Sequence, residues 1–468
     1  MLFNSFPFLI LLIITFCIYY IPYLKRFQVP VLIISSLIFY AFGEPGLVLL
    51  LLFSAAINIV ASYYVAFGRK EYRRPIAITG VALNLLGIAF FKYSPLFAHT
   101  FLHSGSDLGQ FLLNIPLPIG ISFFTFEGIS LLVDVWKEKY FDNRKMLSPS
   151  LSKHAQHTLF FISFFPHLVA GPILKAHDFF PQIGQKKFRD IQWESAFKSI
   201  VVGYFLKMVL ADNLKDFTYW ITYPYFEAHA TIDLLVMLFG YSMQIFADFA
   251  GYSLIAIGLA ALFGYQFQDN FLFPYISGSF KEFWKRWHIS LSSFLMEYLY
   301  FPLGGNRKGK VRTYVNLMIT MVLGGLWHGA AWSYAIWGML HGLALAAERF
   351  CGDKFGTPSS SGYKFLKGIV VFLFVTFAWL LFKLPEFEHV IAYFRSMADN
   401  TRLTPGYSLI SSILVYSLPV VLYHLSYLVK EKSWLAPVHR FKFAGYAIMI
   451  FLILTNSGSS GAFIYFQF

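Results

Sequence analysis

The chain has 468 residues, of which 57% are hydrophobic and only 13% are charged, and its mean hydropathy is +0.59. A soluble fold needs charged surface to cover its core, so this composition excludes an ordinary soluble domain, and it equally excludes disordered, collagen-like and disulfide-rich chains. The net charge of +13 would favour nucleic-acid binding in a soluble protein, but in a membrane protein it is typical of basic cytoplasmic loops, so we expect no nucleic-acid partner.

Uncharged stretches long enough to cross a lipid bilayer recur along the whole chain. A membrane-spanning helix needs about 20 apolar residues, and the first such stretch, 1–24, ends at Lys25 and Arg26. Since this stretch lacks the basic start and the small-residue cleavage site of a signal peptide, we expect a retained first span. The further uncharged stretches are 27–43, 45–68, 75–91, 155–174, 249–268, 313–347, 403–429 and 443–468.

The stretch 313–347 is long enough for two crossings, and less regular apolar segments add further candidates, so we predict about eleven or twelve spans. The added segments centre on Leu131, Phe205, Leu235 and Phe372. Two other stretches, 112–126 and 287–303, are too short or too broken for plain spans. Non-helical backbone inside a membrane is stable only where protein or water shelters it. We therefore predict an all-α polytopic integral membrane protein in which these two stretches form re-entrant helices around an internal site.

Basic loops separate the apolar stretches, and we assign most of them to the cytoplasm. They are 69–74, 137–153, 175–189, 281–312 and 430–442. The sequence shows no long soluble insert and no repeat with a period of about 20–50 residues. We therefore expect one membrane-integral domain.

Common catalytic signatures are missing from the sequence, which has no nucleophile elbow, no phosphate-binding loop and no zinc-protease helix motif. Two cysteines, Cys17 and Cys351, cannot form a disulfide framework or a zinc knuckle. The histidines of the apolar segments lack the i, i+4 spacing of a helical metal pair, and Glu297 is the only carboxylate within 288–347. We expect no metal site.

Histidines within apolar sequence are the main chemical signal. His288 lies in Lys-Arg-Trp-His-Ile-Ser, His328 in Gly-Gly-Leu-Trp-His-Gly, and His341 follows. An ionisable group at membrane depth is costly and marks a functional candidate. A neutral imidazole can take a proton from a hydroxyl without carrying a permanent charge. The alternative is a structural imidazole that hydrogen-bonds neighbouring helices, and this alternative is weakest for His328 and strongest for His341.

Small and aromatic residues surround His328 in the sequence. Gly324, Gly325 and Gly329 permit close approach of backbone or substrate, and Trp327 and Trp332 can form walls for an apolar chain. These residues predict a narrow slot beside His328.

The segment 281–312 carries seven basic residues against two acidic ones. Such a loop on the cytoplasmic side can hold the phosphates of a cosubstrate near the entrance of the histidine site, because basic side chains bind phosphate through charge-assisted hydrogen bonds. Simple attraction to lipid head groups is the alternative. The candidate donor-binding residues are Arg286, Asn306, Arg307, Lys308 and Trp327.

Several motifs together are far more specific than any one of them. The first three are Trp287-His288-Ile289-Ser290-Leu291-Ser292, Tyr298-Leu299-Tyr300-Phe301-Pro302-Leu303-Gly304-Gly305-Asn306-Arg307 and Gly325-Leu326-Trp327-His328-Gly329. Others are Pro118-Ile119-Gly120-Ile121-Ser122, Pro166-His167-Leu168-Val169-Ala170-Gly171-Pro172, Ala211-Asp212-Asn213 and Asp248-Phe249-Ala250-Gly251-Tyr252-Ser253. Over nearly the whole chain these motifs resemble the membrane-bound O-acyltransferase family, in its bacterial polysaccharide O-acetyltransferase branch.

The resemblance implies a fold and residue roles. It implies helices around a central tunnel and one membrane domain over 1–468, with a catalytic core at 110–350. The family's catalytic histidine corresponds to His328, and His288 corresponds to the histidine that orients or stabilises. The segment 463–468 resembles the branch's C-terminal Phe-x-Tyr-x-x-Phe motif, in which the tyrosine, here Tyr465, is thought to relay the acyl group. An aromatic anchor at the membrane interface is the alternative for Tyr465.

The resemblance also implies the reaction. We expect an acetyl group to pass from a cytoplasmic thioester, with acetyl-CoA as first choice and an acyl carrier protein as second, through the bacterial cytoplasmic (inner) membrane to an envelope polysaccharide such as peptidoglycan or an alginate-like exopolysaccharide. No bound cofactor is expected. The expected partners are membrane lipids, the polysaccharide and an extracytoplasmic SGNH-type acetyltransferase that completes the transfer.

Two other classes of protein remain open from the residues. A polytopic transporter or flippase of envelope precursors would also need broken helices and polar residues inside the membrane. In a structural scaffold for an envelope complex, neither His288 nor His328 would be needed for catalysis. Transfer of acetyl from labelled acetyl-CoA distinguishes the enzyme from both.

Overall fold

The computed structural model describes residues 1–102, 106–169, 171–356, 360–429 and 441–459. Every regular element in these ranges is helical, with no strand among them. The prediction of an all-α chain is therefore confirmed. The chain divides into two compact units, Met1–Ile200 with Ile255–Gln268, and Val201–Leu254 with Asp269–Phe468. The single membrane domain with its core at 110–350 stays a prediction.

The first unit is built mainly from helices of the N-terminal half. They are α1 Phe6–Tyr19, α2 Gln28–Ala41, α3 Leu47–Phe67, α4 Lys70–Phe101, α5 Asp107–Leu113, α6 Ile121–Lys137, α7 Asn143–Met146, α8 Leu151–Ser163, α9 Phe165–Leu168 and α10 Ala176–Phe179. Short 3₁₀ turns cover Pro22–Phe27, Phe180–Gln182 and Phe188–Asp190.

Two helices contribute residues to both units, and the others that follow belong to the second. The shared helices are α11 Trp193–Tyr204 and α13 Thr231–Leu262. The others are α12 Asp212–Thr218, α14 Phe280–Arg286, α15 Ile289–Leu295, α16 Lys310–His328, α17 Trp332–Phe355, α18 Ser361–Ala378, α19 Leu380–Lys383, α20 Phe387–Asp399, α21 Tyr407–Val429 and α22 Lys442–Thr455. π-helical turns cover Phe205–Ala211 and Met296–Tyr300, and 3₁₀ turns cover Tyr219–Ile221, Tyr225–Ala228, Pro274–Ile276 and Asn400–Arg402.

Six helical segments in the described ranges are long and apolar enough to cross a membrane. They are Pro22–Ala41, Leu47–Phe67, Lys70–Phe101, Thr231–Leu262, Gly362–Lys383 and Tyr407–Val429. Helices α1 and α22 are apolar but shorter, with 14 residues each. Helices α16 and α17 are long enough, with 19 and 24 residues, but their polar and aromatic residues lower the mean hydropathy. The chain is thus a multi-pass membrane protein, and the number of eleven or twelve spans stays a prediction.

One predicted boundary is wrong. The segment around Leu235 and the stretch 249–268 are predicted to be separate spans, but residues 231–262 form the single helix α13 of 32 residues. At 1.5 Å per residue this helix is about 48 Å long. Asp248 lies within this helix, where its carboxylate is buried and pairs with Lys207 Nζ at 2.8 Å.

The stretches 112–126 and 287–303, which are predicted not to form continuous helices, are interrupted in the structure. Residues 114–120 separate α5 from α6, and in the second stretch α15 passes into the π-helical turn and then into turns up to Gly309. Residues 313–347, predicted to be long enough for two crossings, lie in the two helices α16 and α17 and the short turn between them. Whether the broken stretches are re-entrant stays a prediction.

Glycines let α16 and α17 pack closely. A Cβ added at Gly325 would lie 2.2 Å from the carbonyl oxygen of Tyr334, and one at Gly338 would lie 2.2 Å from the carbonyl oxygen of Met321. Small residues at such positions allow two helix backbones to approach each other. This packing fixes the C-terminal end of α16, where His328 lies, against α17.

Candidate active site

His288 occupies a strained backbone position between two short helices. Helix α14 ends at Arg286, and His288 is the N-cap of α15 with φ +44° and ψ +56°, in the left-handed region. A non-glycine residue pays about 1–2 kcal/mol for this conformation. Such strain persists only where the surroundings hold it, and it is concentrated at functional sites. The side chain of His288 is fully buried.

Asn270 holds the backbone that follows His288. Its carbonyl oxygen accepts the N–H of Ile289 at 2.9 Å, and its side-chain oxygen accepts both the N–H of Ser290 at 3.1 Å and the Ser290 hydroxyl at 2.9 Å. The Asn270 amide donates to the Ser253 hydroxyl at 3.2 Å. Sequence reasoning missed Asn270, because a lone asparagine after an apolar helix carries no distinctive pattern.

His328 ends α16 and lies beside His288. The centroids of the two imidazole rings are 6.5 Å apart. Since a hydrogen bond from oxygen to nitrogen spans about 2.9 Å, one oxygen atom placed between the rings can reach both. His328 is 4% exposed, so both imidazoles lie inside the protein. The structure therefore brings together the two histidines that were singled out from the sequence.

Aromatic side chains enclose the pair. The Trp327 ring lies 5.0 Å from the His328 ring and 5.7 Å from the His288 ring. Phe249 packs on His288 at 4.6 Å, and Trp337 and Phe382 pack on His328 at 5.3 and 4.9 Å. A neutral wall of this kind excludes water and strengthens electrostatic interactions within it.

The predicted slot differs from the structure in two respects. Trp327 lines the histidine pair, but Trp332 begins α17 and is 54% exposed. Gly325 and Gly329 allow close packing within the protein. A Cβ at Gly329 would lie 2.3 Å from the Tyr334 ring, and a Cβ at Gly325 would meet the Tyr334 backbone. The glycines therefore position the end of α16.

Arg286 is already engaged by neighbouring groups. Its guanidinium donates to the Glu282 carboxylate at 2.9 and 2.8 Å and to the Leu272 carbonyl oxygen at 3.1 Å, and it lies over the Tyr427 ring at 4.7 Å. These contacts use most of its donors, so Arg286 offers little to an additional phosphate. A structural role in joining α14 to α21 accounts for the geometry.

The other candidate donor-binding residues lie on an exposed turn. Asn306, Arg307 and Lys308 are all exposed and lie between the π-helical turn and α16. The Tyr300 hydroxyl donates to the Asn306 side-chain oxygen, and the amide of Asn316 holds the Gly305 carbonyl oxygen at 3.0 Å. A fixed turn with solvent-facing basic side chains is suited to contact with an anion.

Tyr465 lies outside the described residues. The residues shortly before it, 456–459, are hydrogen-bonded to the start of the second unit. The Asn213 amide donates to the Asn456 carbonyl oxygen and the Gly458 N–H donates to the Met208 carbonyl oxygen, both at 2.9 Å. The Lys215 ammonium donates to the Ser459 carbonyl oxygen at 3.1 Å. We call residues 456–459 the C-terminal clamp.

Residues 106–385 match the model of the MBOAT, membrane-bound O-acyltransferase, family, and this region contains both His288 and His328.

Several curated proteins are similar over most of their length. The probable alginate O-acetylase of Pseudomonas aeruginosa is 36% identical over 399 residues, which cover 82% of this chain and 72% of that protein. The peptidoglycan O-acetyltransferase of Helicobacter pylori is 34% identical, covering 78% of this chain and 73% of that protein. The teichoic acid D-alanyltransferase of Bacillus subtilis is 28% identical, and the match covers 78% of this chain and 93% of that protein.

The region that matches the family model exceeds half of the chain, and the first two of these relatives share more than 30% identity over most of the chain. The resemblance predicted from the motifs is therefore confirmed. This chain belongs to the membrane-bound O-acyltransferase family and is a multi-pass membrane acyltransferase.

Proposed function

We propose that the protein is an O-acetyltransferase that takes an acetyl group from a cytoplasmic thioester and passes it across the bacterial cytoplasmic membrane for O-acetylation of an envelope polysaccharide. The observation that carries the chemistry is the buried His288–His328 pair, with ring centroids 6.5 Å apart beside Trp327. The acetyl group is proposed because two of the similar proteins are named as O-acetylating enzymes. Their names support peptidoglycan or an alginate-like exopolysaccharide as the acceptor.

In the proposed step His328 is the general base. A ring nitrogen of His328 takes the proton of an acceptor hydroxyl, and the oxygen bonds to the thioester carbonyl carbon. The carbon–sulfur bond then breaks, and the leaving thiolate takes the proton from the imidazolium. His288 orients the acceptor or stabilises the charge on the carbonyl oxygen. A neutral histidine serves this purpose because the buried site disfavours a permanent charge.

The donor is proposed to approach from the exposed basic turn. Arg307 and Lys308 face solvent and can attract the phosphates of acetyl-CoA, which is our first choice, or of an acyl carrier protein, which is the second. Asn306 and Trp327 remain proposed donor contacts. Arg286 is proposed to join α14 to α21 and not to bind phosphate, and its hydrogen bonds to Glu282 support this role.

Tyr465 is proposed to accept the acetyl group before the polysaccharide does. Its phenol is a usable nucleophile once a base removes the proton. The C-terminal clamp supports this role, because it fastens the segment that leads to Tyr465 to Met208 and Asn213. The final acceptor step requires a partner, for which we propose an extracytoplasmic SGNH-type acetyltransferase.

A direct experiment tests the relay. The purified protein is incubated with labelled acetyl-CoA without partner or polysaccharide, and the C-terminal peptide is analysed by mass spectrometry. We expect an acetyl group on Tyr465 that disappears in His328→Ala and in Tyr465→Phe. An unmodified Tyr465, together with full polysaccharide acetylation by Tyr465→Phe, would contradict the relay and leave direct transfer at His328.

A further inference from the structure

His341 is a buried histidine whose hydrogen bonds are unaccounted for. It lies on α17 with 0% of its surface exposed, and neither ring nitrogen has a hydrogen-bond partner among the described residues. Two other buried histidines differ, since His154 Nε2 bonds the Ser62 hydroxyl and His424 Nδ1 bonds the Val420 carbonyl oxygen, both at 2.8 Å. An imidazole always carries at least one donor, and when neutral it also has one acceptor.

Aromatic rings from three helices surround His341. Trp284 of α14 lies 5.2 Å away between ring centroids, Trp337 of α17 4.5 Å and Phe374 of α18 5.3 Å. Phe283 stacks over the imidazole at 6.2 Å. We call these four side chains together with His341 the His341 cage.

The cage contains further unsatisfied polar atoms. The indole N–H groups of Trp284 and Trp337 are both buried, and neither has a hydrogen-bond partner in the described part of the chain. Each unsatisfied buried polar group costs about 1–3 kcal/mol. A cage that served packing alone would be more stable with phenylalanine at these positions. Two indole donors beside an imidazole therefore point to a hydrogen-bonding group supplied from outside the protein.

The composition of the cage defines the group that fits it. The indoles offer donors, the imidazole offers a donor and an acceptor, and the walls described above are neutral aromatic rings. A charged phosphate or carboxylate would be poorly compensated in such surroundings. An amide or a hydroxyl matches these donors and this acceptor, because it both accepts from N–H and donates to a ring nitrogen.

The cage adjoins the histidine pair through one shared residue. Trp337 contacts His341 at 4.5 Å and His328 at 5.3 Å. We infer that the His341 cage binds a neutral amide or hydroxyl of a substrate, and that His341 is a positioning residue for acyl transfer at His328. This inference rests on the proposed function. Both the amide-bearing arm of the thioester donor and the hydroxyl-bearing acceptor supply this chemistry.

The test separates binding from packing. His341→Phe keeps a buried ring and removes both nitrogens, His341→Gln restores one donor and one acceptor, and Trp284→Phe removes one indole N–H. The matched control is His424→Phe, a buried histidine of α21 that packs on Phe246 and Tyr275 and already bonds Val420. Purified protein, together with the partner acetyltransferase that the final acceptor step requires, is assayed for acetyl transfer from acetyl-CoA to an oligosaccharide acceptor. The concentrations of acetyl-CoA and of the oligosaccharide are varied in turn.

We expect His341→Phe to raise one KM about tenfold, which corresponds to about 1.4 kcal/mol of lost binding. Trp284→Phe should raise the same KM less, His341→Gln should recover part of the loss, and His424→Phe should leave both KM values unchanged. A raised KM for acetyl-CoA identifies the donor as the source of the group, and a raised KM for the oligosaccharide identifies the acceptor.

Two contrary results are distinguishable. If wild-type protein transfers acetyl and His341→Phe keeps both KM values, the cage holds only water or packs, and the inference is overturned while the proposed function stands. If wild-type protein transfers no acetyl to any acceptor, the proposed function fails and the inference fails with it. A fall in kcat alone, with unchanged KM and a lower unfolding temperature, also counts against the inference, because a merely structural residue would produce it.

Discussion

The side-chain oxygen of Asn270 accepts two hydrogen bonds from Ser290, one from its backbone N–H at 3.1 Å and one from its hydroxyl at 2.9 Å. Ser290 lies two residues after His288, whose backbone is in the left-handed region. Because this conformation is strained, the neighbouring hydrogen bonds must hold it. Asn270 therefore holds the backbone that follows His288, close to where His328 lies.

Asn270→Ala should lower kcat about 10-fold to 100-fold with a small change in donor KM, since a displacement of about 1 Å at a catalytic group costs about that much. The measurement is steady-state acetyl transfer by purified protein. The matched control is Asn400→Ala, which removes an amide bonded to the Glu227 and His229 carbonyl oxygens at 2.8 and 2.9 Å. An unchanged kcat in folded Asn270→Ala would show that the His288 orientation does not depend on this residue.

Neutralising Arg307 and Lys308 together should raise the KM for acetyl-CoA more than it lowers kcat. These exposed groups are proposed to attract phosphates that lie remote from the reacting carbonyl. The effect should shrink at high salt, because salt screens exposed charges. The KM is measured at low and high salt. A fall in kcat with unchanged KM would exclude donor binding by the turn.

Arg286→Ala should act differently from the turn variants. It leaves the Glu282 carboxylate without its guanidinium partner and removes the contact with Tyr427. We therefore expect a lower unfolding temperature with little change in the acetyl-CoA KM of the folded fraction. A large, salt-dependent rise in KM would instead return Arg286 to the donor site.

The fold and the site were predictable to different degrees. Long apolar stretches predicted the helices, and the Leu-Trp-His-Gly motif singled out His328. The merging of two predicted spans into α13 was not predictable, because the pairing of Asp248 with Lys207 is a tertiary contact between residues far apart in sequence. The spacing of residues in the sequence does not show that a buried carboxylate such as Asp248 has a basic partner.

The environment of each polar residue was the least predictable feature. Arg286 looked like a phosphate-binding residue because it is basic and near His288, but the i, i+4 position of Glu282 allows the pair to form within α14. Asn270 and Trp337 gave no signal, because their importance comes from what lies opposite them in space. The sequence around His341 favours a structural histidine, and only the side chains that surround it in space indicate a further role.

Gly458→Ala should reduce acetylation of the polysaccharide while acetyl-CoA binding is retained. A Cβ at Gly458 would lie 2.5 Å from the Asp212 carbonyl carbon and the Asn213 nitrogen, so the C-terminal clamp would be displaced. Gly445→Ala is the matched control, since nothing lies within 4 Å of a Cβ there. Polysaccharide acetylation and acetyl-CoA affinity are measured for both. Equal acetylation by the two variants would show that the clamp has no part in the transfer.

His177 should make stability depend on pH in the first unit. Burial lowers the pKa of its imidazole, but the hydrogen bond with Asp134 at 2.8 Å and the charges of Asp134 and Asp178 outweigh it, so the pKa lies above its ordinary value. A raised pKa stabilises the fold fully below the ordinary pKa of about 6.5, and this contribution is lost as pH rises through the folded value.

The unfolding temperature of detergent-purified wild type should therefore fall as pH rises from about 6.5 through the raised pKa. His177→Gln should show a smaller fall, with a difference of up to about 1 kcal/mol at the acidic end. Identical pH profiles for the two proteins would contradict a protonated His177 in the fold.

The most direct test of the account is the acetyl-transfer rate of His328→Ala. Purified wild type and variant, matched by unfolding temperature, are given labelled acetyl-CoA, and labelled acetyl on Tyr465 or on added acceptor is followed with time. The account predicts that the variant loses about 10²–10⁴-fold in rate, as removal of a general base does, while remaining folded. A folded His328→Ala protein that transfers acetyl at close to the wild-type rate would contradict the assignment of His328 as the catalytic base.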